Sequence, residues 1–262
     1  MNRIDTTFAR LKEQKKKALI TFITAGDGGL DTTEQLVYSM ERGGADIIEL
    51  GIPFSDPIAE GPTIQKASVR ALENGTRLVD VFALVRRLRK NIQLPLVMMM
   101  YVNSIFGFGT QRFFALCREC GVDGVIVPDL PYEEKEELQD FADREGVYVI
   151  RLVTPASHER IRMIANGARG FLYCVSSVGV TGVRESYSTD FKEFFGAVNR
   201  SREIPAAVGF GISGPEQAKA MKHYCDGVIV GSAVVELVER HGAASPGPVE
   251  TFTRSLREAL DT

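Results

Sequence analysis

The sequence predicts an α/β protein folded as one closed (β/α)8 TIM barrel, and three observations carry that prediction. Eight short apolar runs recur along the chain without polar alternation, as strands buried on both faces between helices do. The segments between them place apolar residues at helical spacing. No GxGxxG follows the first run and no change of composition marks a second unit, which favours a barrel over an open doubly wound sheet.

The runs are Ala18–Thr24, Ile47–Gly51, Leu94–Tyr101, Gly124–Val127, Val147–Val153, Gly170–Val175, Ala206–Gly209 and Gly227–Val230. Among the intervening helices, Thr63–Glu73 has the helical period. Glu133–Glu145 is strongly charged and follows Pro131, a start signal. Pro215–Met221 is entered through Ser213-Gly214-Pro215, with proline in the first turn. An extra N-terminal helix at Met1–Glu13 is expected to cover the barrel bottom. His241–Pro248 (HGAASPGP) reads as a loop before a last helix at Val249–Leu260. One domain is expected to span residues 1–262.

A chain of 262 residues suits one such barrel. With 44% hydrophobic and 25% charged residues, bulk disorder is excluded. Lys and Arg number 31 against 34 Asp and Glu, a net charge of −3 that argues against neutralising many phosphates of a nucleic acid. No apolar run approaches the ~18–20 residues of a membrane span. The basic start of the chain has no apolar signal core, so a cytoplasmic location is expected. Of the four cysteines only Cys117 and Cys120 are close. They lie in RFFALCREC, an amphipathic helix pattern and not a metal knuckle, so buried thiols and no metal site are expected. His158, His223 and His241 have no nucleophile beside them and read as surface residues. The run Lys15–Lys17 reads as a solvated face.

In a barrel of this kind the chemistry sits at the C-terminal ends of the strands. Glu49 interrupts the second apolar run, and a carboxylate there is costly unless it is paired or functional. With Ile48 and Leu50 facing the helices, Glu49 faces the barrel interior. Burial would raise its pKa towards neutrality, as a proton donor and acceptor requires. The alternative is a structural carboxylate bonded to a neighbouring hydroxyl such as that of Tyr173. The following loop, Pro53–Pro62, carries three prolines and the acids Asp56 and Glu60, which fit either a partner contact or turn and helix-start chemistry. Asp129 ends the fourth strand, as a functional acid or as a cap on the next helix. The stretch after the sixth strand, Ser176–Asp190, is rich in Gly and Ser and reads as a lid or binding loop. Gly209-Phe210-Gly211-Ile212-Ser213 and Gly231-Ser232-Ala233 end the seventh and eighth strands, where backbone amides and a helix N-terminus can hold a phosphate without Lys or Arg. Ser213 or Ser232 can add a hydroxyl.

These residues also carry a resemblance. Glu49-Leu50-Gly51-Ile52-Pro53-Phe54-Ser55-Asp56-Pro57, followed by Gly61-Pro62-Thr63-Ile64-Gln65, resembles the signature of the tryptophan synthase alpha subunit family. The likeness continues through Pro128-Asp129-Leu130-Pro131, Gly179-Val180-Thr181-Gly182, Gly209-Phe210-Gly211-Ile212 and Gly231-Ser232-Ala233, and so covers essentially the whole chain. The resemblance implies retro-aldol cleavage of indole-3-glycerol phosphate to indole and glyceraldehyde 3-phosphate. It implies that Glu49 moves the protons and that Glu60 stabilises charge at the indole N–H. It implies an indole pocket of Phe22, Met99, Tyr101, Ile126 and Ile229, with Tyr173 near Glu49 and Thr181 on the closing loop. It places the phosphate on Gly182, Gly211, Gly231 and Ser232. Pro53, Asp56 and Pro57 would face a beta subunit in a heterotetramer of two alpha and two beta chains. Pyridoxal phosphate is expected only in that partner, and no cofactor in this chain. Asp129 would hold closed loops together.

Two positions depart from the family pattern. Met99 replaces a more usual Leu, a volume-conserving change. Glu60 stands where Asp is common. The extra methylene reaches about 1 Å further, and a misplacement of that size can cost ~10²-fold in rate unless something compensates. Because the rest of the motif is intact, compensation near Ala59 is expected. Two other readings compete with the lyase. One is a weakly catalytic phosphate-binding barrel that activates a pyridoxal-phosphate-dependent beta subunit. The other is a different barrel enzyme such as a sugar-phosphate isomerase, which leaves Phe54–Asp56 and the indole-sized pocket unexplained.

Overall fold

The computed structural model describes residues 1–157, 159–175, 189–209 and 211–262. In chain order, short 3-10 turns aside, they form α1 (Arg3–Glu13), β1 (Ala18–Thr24), α2 (Leu30–Arg42), β2 (Ile47–Gly51), α3 (Pro62–Glu73), α4 (Leu78–Leu88), β3 (Leu96–Met99), α5 (Val102–Phe108) and α6 (Thr110–Cys120). Then follow β4 (Gly124–Ile126), α7 (Glu136–Glu145), β5 (Tyr148–Val153), α8 (Arg160–Ala165), β6 (Leu172–Val175), α9 (Thr189–Ser201), β7 (Ala206–Gly209), α10 (Pro215–Met221), β8 (Gly227–Val230), α11 (Ser232–His241) and α12 (Pro246–Asp261). Each strand pairs in parallel with the next and β8 pairs with β1, closing the barrel in sequence order.

The unbroken apolar runs have the cause expected of them. Every residue of β1 and β2 is buried, because one face meets the barrel interior and the other meets helices. Residues of one parity, such as Leu19, Ile23, Ile48 and Leu50, join the layer beneath the helices. Those of the other parity, Ile20, Ile47, Val97, Ile126, Ile150, Ala207 and Ile229, fill the interior. The side chains of Ile4, Phe8 and Leu11 on α1 pack into that same interior cluster, so the extra helix does plug the bottom. All four cysteines are free and buried, as expected.

Several boundaries differ from the sequence expectation. The third strand is shorter than Leu94–Tyr101. Pro95 has no N–H to give a ladder, and Tyr101 already serves as the N-cap of α5. Before α7 the chain makes a separate 3-10 turn at Tyr132–Glu134. His241–Pro248 is not a loop. A 3-10 turn at Gly242–Ala244 leads into α12, which begins at Pro246; prolines are tolerated in a first turn, where N–H groups have no helical acceptor. Nor is Lys15–Lys17 simply solvated, since Lys16 pairs with Asp261 at 2.9 Å and Lys17 with Asp226 at 3.9 Å. His223 and His241 are exposed, and His158 lies outside the described residues.

The barrel floor carries a repeated device. Asp46, Asp123 and Asp226 immediately precede β2, β4 and β8. Each accepts the amide N–H of a residue at the start of the preceding odd-numbered strand: Leu19 at 3.0 Å, Leu96 at 2.9 Å and Ala206 at 3.0 Å. Each also pairs with arginine. Asp46 meets Arg257 and Arg10, both at 3.0 Å, and Asp226 meets Arg202. Asp123 meets Arg89 at 2.6 Å and Arg3 at 3.0 Å.

Candidate active site

At the opposite end of the barrel, Glu49 lies on β2 with 0% exposure. Its parity is that of Ile47, so its carboxyl points inward. Its register neighbours are Phe22 on β1 and Val97 on β3. Neither carboxylate oxygen has a hydrogen-bond partner among the described residues. The charged form is therefore shut off from bulk solvent and has no counter-charge among the described residues, and burial pushes the pKa up to about 8. The expected alternative, a carboxylate bonded to the Tyr173 hydroxyl, is not what forms. Tyr173 faces the same interior, where burial and then the charge of Glu49 push its phenol pKa well up, yet the two make no bond.

Two glycines make room around this acid. A Cβ on Gly51 would lie 2.5 Å from Cζ of Phe22, and one on Gly209 would lie 2.5 Å from the Tyr173 oxygen. Bare backbone at the ends of β2 and β7 thus leaves the room that the Phe22 and Tyr173 rings occupy.

The residues expected to form the apolar wall fall in two adjoining clusters and one hydrogen-bonded tyrosine. Ile126 and Ile229 are buried in the interior cluster, with Met99 and Tyr173 packed against it. Phe22 joins Ala67 of α3 and Val235 of α11, and Met99 packs against that group too. Tyr101 is 3% exposed, and its hydroxyl is not a bare pocket wall. It accepts the N–H groups of Ile58 and Ala59, both at 2.8 Å, and donates to Oε2 of Glu60. Its ring stacks on Phe54 with centroids 4.8 Å apart.

Glu60 is therefore not a solvated helix-start acid. Burial raises its pKa above the ordinary value, the Tyr101 bond draws it back, and the charge of Asp129 adds to the rise. Asp129 does not cap the helix that follows it. Its carboxylate accepts the Val102 N–H at 3.0 Å, at the start of α5. The barrel topology explains this, because β3 and β4 are adjacent and the end of one reaches the helix leaving the other. The roles of Phe54 and of the Tyr101 hydroxyl escaped the sequence reading. An aromatic in the loop after β2 and a tyrosine closing the neighbouring β3 was the available signal.

Gly231 is the N-cap of α11 and Ser232 its first residue, so amides of a ten-residue helix face the mouth. Gly211 is exposed in the segment before α10. Ser213 is already committed, because its N–H and hydroxyl both donate to Oε1 of Gln217, at 2.6 and 3.0 Å. Thr181, Gly182 and Phe210 lie outside the described residues. In the loop after β2, Asp56 is exposed, Pro57 is half-buried and Pro53 is buried. Among the described residues no group of three or more His, Cys, Asp or Glu is placed to hold a metal ion, and no helix is long and apolar enough to cross a membrane.

The chain matches the family model described as tryptophan synthase alpha chain over residues 8–259. Similar proteins include the tryptophan synthase alpha chain of Thermoanaerobacter sp., 48% identical over 262 residues, covering 99% of this chain and all of that one. Among solved structures, tryptophan synthase subunit alpha from Legionella pneumophila superposes with a TM-score of 0.92 at 37% identity, covering 100% and 99% of the two chains. A chain from the tryptophan synthase α2β2 complex of Pyrococcus furiosus gives 0.86 at 36% identity, covering 92% and 98%.

Proposed function

The chain belongs to the tryptophan synthase alpha chain family, lyases that cleave indole-3-glycerol phosphate to indole and glyceraldehyde 3-phosphate, and on that premise we propose which of its residues do the work. The observation that carries the assignment is Glu49, a buried carboxyl without a partner among the described residues and with a pKa near neutrality.

Cleavage needs two proton movements. Protonation at indole C3 turns the ring into an electron sink. Loss of the proton from the hydroxyl on the carbon beside it lets the O–H electrons form the aldehyde C=O. The C–C bonding pair then returns to the ring and restores its aromaticity. One proton is given and one is taken, so a single carboxyl of matched pKa serves for both, and Glu49 is that group. Glu60 accepts a hydrogen bond from the indole N–H and stabilises the positive charge that develops there. Phe22, Met99, Tyr101, Ile126 and Ile229 form the slot that orients the ring and excludes water, with Tyr173 beside Glu49. Amides at Gly211, Gly231 and Gly182, with the Ser232 hydroxyl, hold the phosphate, and the dipole of α11 favours its charge. Thr181 closes over the substrate. Side chains and backbone amides suffice for every step of this scheme. We further propose that the whole of 1–262 acts as one domain, and that the chain works with a beta subunit in an α2β2 assembly. The loop bearing Pro53, Asp56 and Pro57 would face that partner; Ile58 beside them is 80% exposed, an apolar side chain that a partner surface would cover.

Glu49→Gln tests the assignment. The amide keeps the shape and cannot transfer a proton, so kcat for cleavage of indole-3-glycerol phosphate should fall by ~10²–10⁴-fold with KM little changed. Cleavage at the full rate would contradict the role of Glu49.

A further inference from the structure

Glu60 is one methylene longer than the acid usual in its family, and the structure contains the feature that accommodates it. We propose that Tyr101 is the positioning residue of Glu60: its phenol fixes where the longer side chain ends and so which carboxylate oxygen is offered to the substrate. This rests on the assignment of Glu60 to the indole nitrogen made above.

A phenol has one proton to give and two acceptor sites. The Ile58 and Ala59 amides, each at 2.8 Å, occupy both acceptor sites. Among the described residues the single proton then goes to one acceptor, Oε2 of Glu60. The direction of the bond is thereby forced, and the loop amides that orient the phenol belong to the two residues preceding the acid. The phenol cannot drift, because the ring stacks on Phe54 at 4.8 Å and 24°. Nor can its backbone, since Tyr101 caps α5 and the next residue, Val102, gives its N–H to Asp129 at 3.0 Å. The phenol engages Oε2, so Oε1 is the oxygen assigned to meet an indole N–H, and the amides of Ala59 and Glu60 add to the hold on the carboxylate. The contact places Tyr101 in a second role besides lining the slot.

A double-mutant cycle on the full chain separates this role from packing. The variants Tyr101→Phe, Glu60→Gln and the pair are assayed for indole-3-glycerol phosphate cleavage. Phe keeps the ring and its stacking and removes only the hydroxyl. Tyr101→Phe should lower kcat about tenfold or more, in keeping with the ~10²-fold that ~1 Å of misplacement can cost, with KM changed by less than about threefold. In the Glu60→Gln background the same change should cost almost nothing further. The titratable groups acting on Glu60 are Tyr101 and Asp129, and the amides of Ala59 and Glu60 also bond its carboxylate. Losing the phenol bond removes one of the contacts that offset burial and the Asp129 charge, leaving only the backbone amides of Ala59 and Glu60 against them, so the limb of the kcat/KM profile belonging to Glu60 should move to higher pH. An equal loss in both backgrounds, or an unchanged kcat and pH profile in Tyr101→Phe, would overturn the proposal. Full activity of Glu60→Gln would instead remove the role of Glu60 itself, and this inference with it. Should Tyr101→Phe not fold, Glu60→Asp probes the contact from the other side. Its shorter carboxylate falls short of the phenol, so kcat should drop; an unchanged or raised kcat contradicts the inference.

Discussion

The two ends of the barrel treat carboxylates in opposite ways. On the floor, Asp46 and Asp123 are nearly buried, at 7% and 3% exposure, and each is surrounded by donors: a strand amide and two arginines. At the mouth, Glu49 is fully buried and meets no donor among the described residues. The floor acids join neighbouring strands by their first amides and neutralise the arginines that reach them. They are used up by folding. Glu49 is left over by folding, at a cost, and that is what leaves its proton exchangeable near neutral pH. Glu60 lies between the extremes, with a bond from Tyr101 and backbone amides but no cation among the described residues. The availability of an acid for chemistry thus follows from what the fold leaves unsatisfied, not from burial as such.

The same edit at the two ends should separate function from stability. Glu49→Gln is expected to reduce kcat by the orders of magnitude given above while leaving the fold intact. Asp123→Asn should do the reverse. Arg89, whose pKa burial already lowers to about 10, would lose its only carboxylate partner among the described residues. Removing one member of a buried pair costs ~3–5 kcal/mol, read from denaturant unfolding, with kcat within about twofold of the original when assayed well below the melting temperature. A large loss of kcat without loss of stability in Asp123→Asn would break the contrast.

A smaller effect concerns pH. Glu49 rises from 4.5 to about 8 on folding, so the folded chain holds this proton more tightly than the unfolded one. Its contribution to stability is full below pH 4.5 and is lost as pH rises through 8. Glu49→Gln removes that dependence. Between pH 5 and pH 8 the variant should gain on the parent by an amount on the order of a few kcal/mol. Parallel stability profiles would mean that the carboxyl is not desolvated. The smallest effect should come from Met99→Leu. It keeps volume and wall chemistry, so thermal unfolding should shift by the equivalent of less than ~1.5 kcal/mol and KM should barely move.

Much of this was legible in the residues. Parallel strands buried on both faces leave an unmistakable apolar record, and Glu49, the one acid inside such a run (the other charge is Arg151), marks the interior carboxyl. The boundary errors have a common cause. Pro95, Pro246 and Pro248 suggest a strand or a loop in the sequence, although proline's missing N–H matters differently at a ladder edge and in a first helical turn. The floor acids were passed over, yet Gly44-Ala45-Asp46 and Gly121-Val122-Asp123 each stand immediately before a strand, a local pattern that could have been read. What the chain could not disclose was pairing across strands. Asp129 reaching Val102, or the Tyr101 hydroxyl collecting two amides and an acid from the β2 loop, depends on which strand ends the closed barrel brings together.

The central claim is that the Glu49 carboxyl is desolvated and unpaired, and therefore exchanges its proton near neutral pH. The direct measurement is its own titration, followed by the carboxyl resonance in 13C NMR of the labelled chain and assigned by difference against Glu49→Gln. A midpoint near pH 8 is the predicted result. A midpoint near 4.5, the ordinary value for a solvated glutamate, would contradict the account.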